Sequence, residues 1–447
     1  MGYYAFARSI LIEHRLDFTK DWLSANTSFR MGRIDSEGHL LPNQFTVTGH
    51  VDNHFAVGSS ILWSPFLILA HAFVLLCDRL GGQIPADGYS KPYMLAMAWG
   101  TALYGFLAVF ISFVVARRYV AERWAFLAAL GIWFGSSLPV YMYFNPSWSH
   151  AHSAFTVALF LWYWIRTRGE RTLKGWAIQG ALAGLMLDVY YLTAVLLLFP
   201  IAESICKYVK VTPRSEARSV HRLFFGNVLF VITLLTAFLP TVITKQVIYG
   251  SYLRTGYENL WVWNAPALFK VCFSADHGVF SWNPILLLAL IGLFWLCKDD
   301  RGLGICSILV FAMLVYVVAC YANWDGISSF GNRFFVSLTI VFVLGLAMFL
   351  ASIVRTWTER RRLILTWGGT TILVLWNLGL VFQWGMHLIP ERGPIRWRAA
   401  VKNEVIIVPK QGAQTLRSYF SSRTQLMDRI ERTDVNQITS QKPDGND

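Results

Sequence analysis

Long apolar runs dominate the chain, and most have the length of a membrane-spanning helix, which needs about 20 apolar residues. Run 176–202 is interrupted at Asp188 to Tyr191, within the sequence LDVYY, so we interpret it as two short helices that cross the membrane twice. Uninterrupted runs predict further spans near 93–115, 124–143, 150–165, 223–247, 282–297, 303–322, 334–353 and 363–387. This pattern predicts an all-α, multi-pass membrane protein.

The composition supports the membrane assignment. Of the 447 residues, 55% are hydrophobic and 15% are charged, whereas a soluble domain carries about 25% charged residues. The net charge of +13 suits the basic cytoplasmic loops of a membrane protein, so nucleic acid is not an expected partner. The six cysteines lie in or beside apolar runs without a CxxC pair, and they indicate neither a metal site nor a disulfide framework.

Basic residues concentrate in alternate loops, which orients the predicted spans. Arginine and lysine are dense in 116–123, 166–174, 203–222 and 354–361. The intervening segments 144–149, 248–281 and 323–333 are nearly free of positive charge. The positive-inside rule places the first group in the cytoplasm and the second group outside.

These predictions divide the chain into three parts. Residues 1–92 form an external loop with membrane-parallel helices, 93–387 form a bundle of about nine to ten helices, and 388–447 form a polar tail with an amphipathic helix. Run 56–76 is assigned to the membrane interface because Gly58 and Pro65 weaken a straight span. Span alternation places the tail outside, but its basic residues favour the inside, so its side stays open.

The chain begins with a patterned helix. One face carries Tyr3, Tyr4, Ala7, Ile10 and Leu11, and the other face carries Arg8, Glu13 and Arg15. "NEVIIVP" in the tail has the composition of a short strand, and "TLRSYFSSRTQLMDRI" has the spacing of one amphipathic helix.

Side chains capable of chemistry collect in the segments predicted to lie outside. They are Asp52, His54, His150, His152, Asp276, His277, Trp324, Asp325 and Arg333. Ionisable groups gathered on one side of a membrane protein are typical of a functional site. Carboxylate, imidazole, guanidinium and aromatic groups together suit transfer of a sugar from a lipid phosphate, because such a site must stabilise a departing phosphate and deprotonate a hydroxyl.

Each candidate also has a purely structural interpretation. His150 and His152 are two residues apart and diverge on a helix, and H-x-H alone is weak evidence for a metal. Asp276 and His277 are equally consistent with a cap on the turn before Gly278. Arginine at the end of a span also extends to headgroups, and tryptophan there also forms an interfacial belt.

Five stretches carry a family resemblance. In chain order they are GYYAFARSILIEHRLDF, FAVGSSILWSPFLILAH, NPSWSHAHSAF, FSADHGVFSWNP and WDGISSFGNRFF. Over about residues 2–390 the chain resembles the GT-C class of polyprenyl-phosphate-sugar-dependent glycosyltransferases, which includes protein O-mannosyltransferases and the lipid A aminoarabinose transferase. The resemblance implies a helical bundle with a large first external loop that contains interfacial helices.

The resemblance implies roles for the candidate residues. Arg333 would hold the lipid phosphate, a histidine would help to neutralise it, and Trp324 would pack on the sugar. The histidines are His150, His152 and His277, and the hydroxyl-orienting carboxylates are Asp52, Asp276 and Asp325. Tyr3, Tyr4 and His54 complete the substrate-binding set. The donor would be a polyprenyl-phosphate sugar, and the acceptor a lipid, glycan or protein at the outer face of a bacterial plasma membrane.

The chain departs from the family at its beginning. The family's catalytic aspartate precedes the aromatic pair that Tyr3 and Tyr4 resemble, a position upstream of Met1 here. We therefore expect the first transmembrane helix and the base to be missing, with Asp52 as the substitute if the protein begins at Met1. No cofactor is expected, and a divalent metal stays open. A flippase for polyprenyl-linked glycans and a non-catalytic GT-C-like subunit are the alternative functions.

Overall fold

The computed structural model describes residues 2–209, 217–352 and 358–440. Within these ranges the chain is helical, with isolated β-bridges and no β-strand. The α-helices are α1 (Gly2–Ile12), α2 (Thr19–Leu23), α3 (Thr27–Arg30), α4 (Gly58–Arg79), α5 (Lys91–Ala116), α6 (Glu122–Gly135), α7 (His150–Thr167), α8 (Leu173–Val189), α9 (Leu198–Val209), α10 (Ala217–Tyr249), α11 (Leu268–Phe273), α12 (Val279–Trp282), α13 (Ile285–Asp299), α14 (Arg301–Ala319), α15 (Thr339–Ser352), α16 (Glu359–Gly385), α17 (Trp397–Lys402), α18 (Val408–Ser421) and α19 (Arg423–Ser440).

Seven helical segments in the described ranges are long and apolar enough to cross a membrane, which confirms the prediction of a helical membrane protein. They are Gly58–Arg79, Lys91–Ala116, Tyr191–Val209, Val220–Tyr249, Arg301–Ala319, Arg333–Ser352 and Glu359–Gly385. The predicted spans 124–143 and 282–297 contain the shorter helices α6, of 14 residues, and α13, of 15 residues. Helix α6 ends at Gly135 because an extended Ser136 interrupts the helical backbone there.

The predicted interruption within 176–202 is confirmed. Helix α8 ends at Val189, Tyr190 is extended, and a 3₁₀ helix from Tyr191 to Leu197 leads into α9. The carboxylate of Asp188 accepts a hydrogen bond from the Thr241 amide of α10 at 3.0 Å. This hydrogen bond joins the break in the helix to α10.

An amide network supports the break after α6. The Asn377 amide nitrogen of α16 donates to the carbonyl oxygens of Phe134 and Ser136, both at 2.8 Å. The Asn377 side-chain oxygen accepts from the Asn283 amide at 2.6 Å, and Asn283 in turn accepts from Ser137 at 3.0 Å. The network satisfies the carbonyl groups that the end of α6 leaves without helical partners.

Helices α13 and α15 cross at two glycines. A Cβ atom on Gly292 would lie 1.8 Å from the carbonyl oxygen of Gly345, and one on Gly345 would lie 2.0 Å from that of Ala289. Both distances are far inside van der Waals contact. Close backbone approach through small residues is the usual way that membrane helices pack.

Loops that the charge pattern assigns to one side meet at one end of the bundle. At the predicted outer end, Thr46 donates to Ile248 O at 2.6 Å, and His277 Nδ1 lies 2.9 Å from Asp325 O. The predicted cytoplasmic loops meet at the other end through ion pairs between Arg123 and Glu359, Arg168 and Asp300, and Arg171 and Glu203. Of the predicted cytoplasmic segments, 210–216 and 354–357 lie outside the described residues.

The tail packs at the predicted outer end. The Asn26 amide donates to Glu431 of α19 at 3.1 Å, and the Ile395 amide donates to Ala275 O at 3.2 Å. These contacts place the tail on the same side as the first loop, as alternation of the spans predicted. Residues 441–447 lie outside the described residues.

Four sequence-based expectations change or stay untested. Arg8 does not lie on a solvated face: it is 1% exposed, because Asp21 supplies a buried partner that helical periodicity does not reveal. The sequence NEVIIVP forms helical turns over Asn403–Ile407, not a strand, and Ser422 divides the predicted amphipathic helix into α18 and α19. Helix α4 runs unbroken through Pro65, and the prediction that it lies in the interface stays a prediction.

Candidate functional site

Arg333 lies at the predicted outer end, where the loop after α14 enters a 3₁₀ helix, Arg333–Leu338. Its Nη1 donates to the Gly326 carbonyl at 2.6 Å, and its guanidinium carbon lies 4.6 Å from the centre of the Trp148 ring. Gly326 and Gly331 have φ of +78° and +55°, a backbone conformation that favours glycine. The two glycines therefore shape the loop that holds the arginine.

Arg333 differs from the paired arginines of the protein. Arg8 pairs with Asp21 at 2.6 Å, Arg168 with Asp300 and Arg171 with Glu203. Within residues 2–209, 217–352 and 358–440, no carboxylate forms an ion pair with Arg333. A half-buried guanidinium held by a carbonyl and an aromatic face keeps donors for an anionic ligand.

Tyrosine side chains cluster near Arg333. Tyr3, Tyr141 and Tyr190 lie within electrostatic range of its guanidinium, and Tyr257 and Tyr321 lie within range of Tyr3 and Tyr190. Burial raises the pKa of Tyr3 to about 12, although the positive charge of Arg333 acts in the opposite direction. Such phenols remain protonated at neutral pH, so they offer hydroxyl donors and ring faces beside the guanidinium.

The structure brings His150 to this cluster but not His152. The His150 ring packs edge-on against Tyr141 and Tyr190, at centroid distances of 4.7 and 5.3 Å, and lies within electrostatic range of Arg333. The completely buried His152 packs against Trp63 at 4.7 Å. The predicted divergence of the two histidines is confirmed, and the proposed role of His152 at the phosphate loses its geometric support.

Tyr3 and Tyr4 also diverge. Tyr3 lies within electrostatic range of Arg333. Tyr4 is fully buried, donates to the Gly88 carbonyl at 2.6 Å and packs edge-on against Trp63. Adjacent residues of a helix point about 100° apart, so only Tyr3 faces the cluster.

Asp276, His277 and Asp325 form a second group beside Arg333. Their potential ligand atoms all lie within 4.8 Å of one another. Burial lowers the pKa of His277 to about 4, although the Asp325 carboxylate acts in the opposite direction. His277 is therefore neutral at pH 7. Trp324 is half-buried against the core, and its carbonyl accepts from the Asn332 amide at 3.1 Å.

Asp52 and His54 form a third group, near the end of α10. The Tyr249 hydroxyl donates to Asp52, and the His54 ring lies 4.8 Å from that of Tyr257. The buried Lys245 ammonium donates to the carbonyl of residue 53 at 3.2 Å. This group therefore reaches the Arg333 cluster through Tyr257, without direct contact between Asp52 and Arg333 among the described hydrogen bonds and ion pairs.

The sequence analysis missed several members of these groups: Trp148, Tyr190, Lys245, Tyr249, Tyr257 and Tyr321. Two of them carried a signal. Lys245 is a lone cation within the apolar run 223–247, which is unusual for a spanning helix. Tyr190 lies in the interrupted sequence LDVYY. The others are single aromatic residues among many, and only the fold selects them.

Comparison with protein-family models and with curated proteins gives no match for the chain. The functional argument therefore depends on the chemistry of the three groups.

Proposed function

We propose that the protein is an integral-membrane glycosyltransferase that moves a sugar from a polyprenyl-phosphate carrier to an acceptor at the non-cytoplasmic face. The observation that carries the proposal is Arg333, a half-buried guanidinium without a carboxylate partner among the described residues. It lies at the end of the bundle where the predicted outer segments converge. A lipid monophosphate carries the negative charge that would pair with this guanidinium.

The reaction needs the groups that surround Arg333. The acceptor hydroxyl attacks the anomeric carbon of the sugar, the bond from that carbon to the phosphate oxygen breaks, and the configuration inverts. The phosphate leaves with the bonding electrons, and the guanidinium stabilises the negative charge that develops on it. A carboxylate base takes the hydroxyl proton, a role that we do not assign to a residue of the Arg333 cluster.

Tyrosine rings and hydroxyls support recognition of the sugar. Tyr3, Tyr190 and Tyr257 lie within electrostatic range of one another, and each combines a ring face with a hydroxyl group. Aromatic faces pack against the apolar faces of sugars, and phenol hydroxyls bind sugar hydroxyls. The alternative of a flippase has weaker support, because the buried charges Asp188 and Lys245 are each hydrogen-bonded to backbone groups.

The test is transfer of radiolabelled sugar from polyprenyl phosphate by membranes that contain the protein. Arg333→Ala should lower the rate by about 100- to 1,000-fold, the usual effect of removing one donor to a developing oxyanion. Arg333→Lys should retain part of the activity, because it keeps the charge and loses the planar fork.

Arg254→Ala is the matched control, since Arg254 is an exposed arginine in the predicted outer segment 248–281. It should transfer sugar at the wild-type rate. Wild-type transfer by Arg333→Ala would refute the assignment of the phosphate to Arg333.

A further inference from the structure

The group of Asp276, His277 and Asp325 draws two loops together next to the Arg333 cluster. His277 Nδ1 lies 3.6 Å from Asp276 Oδ1 and 2.9 Å from the Asp325 carbonyl oxygen. The carboxylate oxygens and an imidazole nitrogen all lie within 4.8 Å of one another. Ligand atoms that each lie about 2.0–2.2 Å from one metal ion are somewhat closer to one another than 4.8 Å. Small side-chain rotations therefore suffice to complete a site.

Two polar atoms in this group lack hydrogen-bond partners among the described residues. They are Nε2 of His277, whose side chain is completely buried, and Oδ1 of Asp276, which is itself inaccessible to solvent. A buried carboxylate oxygen and a buried imidazole nitrogen without partners are costly to leave unsatisfied. Nδ1 of His277 faces the Asp325 carbonyl oxygen, which only accepts, so Nδ1 carries the proton and Nε2 has the lone pair for a cation.

We propose that Asp276, His277 and Asp325 bind a first-row transition-metal ion, either Zn²⁺ or Mn²⁺. Imidazole with carboxylates suits these ions, whereas Mg²⁺ and Ca²⁺ prefer sites made of oxygen ligands only. Two carboxylates balance the charge of a divalent ion.

The ion would join three parts of the chain. Asp276 and His277 precede α12, and Asp325 lies in the loop whose Gly326 carbonyl holds Arg333. The tail reaches the same place, because the backbone of Gly393 donates to the Asp276 carboxylate. The metal therefore fixes the loop that positions Arg333. The proposal does not depend on glycosyl transfer, because metal content and thermal stability are measured without activity.

The experiment uses the full chain purified in detergent, treated with EDTA and then dialysed. Zn²⁺, Mn²⁺, Mg²⁺ and Ca²⁺ are added separately, and bound metal is measured by mass spectrometry together with the thermal midpoint. We expect one equivalent of Zn²⁺ or Mn²⁺ to bind and raise the midpoint. Equal binding of Mg²⁺ or Ca²⁺ would overturn the assignment to a transition metal, and no stoichiometric binding of any ion would overturn the site.

The variants are His277→Asn and Asp276→Asn. Asparagine tolerates the positive φ of +56° at His277, so that variant keeps the backbone conformation. Each should weaken binding by more than about 100-fold, because even changes outside the ligand shell weaken metal binding by about 10- to 100-fold. Asp325→Asn is the third variant, in case one of the others fails to fold.

His39→Ala is the matched control. The exposed His39 lies 3.7 and 3.6 Å from the carboxylates of Asp35 and Glu37, but these residues do not form a convergent ligand set. The control should bind metal as the wild type does. Unchanged affinity in His277→Asn, or equal loss in His39→Ala, would overturn the proposal.

Discussion

The buried ion pair of Arg8 and Asp21 in the first loop makes a quantitative prediction. Both side chains are almost fully buried, at 1% and 2% exposure. The guanidinium binds the carboxylate through two hydrogen bonds, of 2.7 and 2.6 Å, and its third nitrogen lies 2.8 Å from Glu13. Replacing Arg8 by alanine leaves the Asp21 carboxylate buried without its cation.

The expected loss of stability in Arg8→Ala depends on pH. Burial raises the pKa of Asp21, while Arg8 acts in the opposite direction. Without Arg8, Asp21 will take up a proton in the folded state, whereas in the unfolded state its pKa is about 3.9. Holding that proton at pH 7 costs about 4 kcal/mol, at 1.36 kcal/mol per pH unit, and at pH 5 it costs about 1.5 kcal/mol.

The direction of this pH dependence follows from the linkage between protonation and folding. In Arg8→Ala the folded pKa of Asp21 lies above its unfolded value, so the variant loses stability relative to the wild type as the pH rises above about 4. The pH 7 value agrees with the roughly 3–5 kcal/mol that is lost when one partner of a buried ion pair is removed.

Hydrogen exchange of the α1 backbone amides measures the loss of stability in Arg8→Ala, because it reports the free energy of local opening. Arg8→Ala should lose more protection at pH 7 than at pH 5 after correction for intrinsic rates. The double variant Arg8→Met, Asp21→Leu should recover most of it, because an apolar pair leaves no unpaired charge. Arg15→Ala is the control, at a side chain 53% exposed. Equal protection of Arg8→Ala and wild type at both pH values would refute this reasoning.

Two further predictions test the packing of the bundle and of the tail. Gly345→Ala should destabilise the protein by roughly 1–3 kcal/mol in thermal unfolding. Gly368→Ala is the control and should be neutral or stabilising, because a Cβ atom there meets nothing within 4 Å. Equal thermal midpoints of the two variants would contradict the close crossing of α13 and α15. A short bis-maleimide should cross-link Asn26→Cys to Glu431→Cys, which replace side chains 3.1 Å apart; no cross-link in the double variant would contradict the outer position of the tail.

Local patterns alone determined much of the fold. Apolar runs of spanning length predicted the membrane class, and the polar sequence LDVYY predicted the interruption at Tyr190. Alternating loop charge grouped the segments that meet at each end. These features are readable because hydrophobic length and the placement of loop charges are local properties of the chain.

The composition of the candidate site required the tertiary structure. Sequence analysis named Tyr3 together with Tyr4 and His150 together with His152, but only Tyr3 and His150 face Arg333. Periodicity gives the direction of a side chain relative to its own helix, but it does not give the helix that packs there.

Charge pairing was decided by tertiary structure for the same reason. Sequence analysis placed Arg8 and Arg333 by local pattern alone, yet Arg8 is neutralised by Asp21 and Arg333 has no carboxylate partner in the described part of the chain. The neighbours of an arginine in space decide whether it forms a structural ion pair or stays available to bind an anion. Those neighbours come from segments distant in sequence, so the fold alone decides between the two.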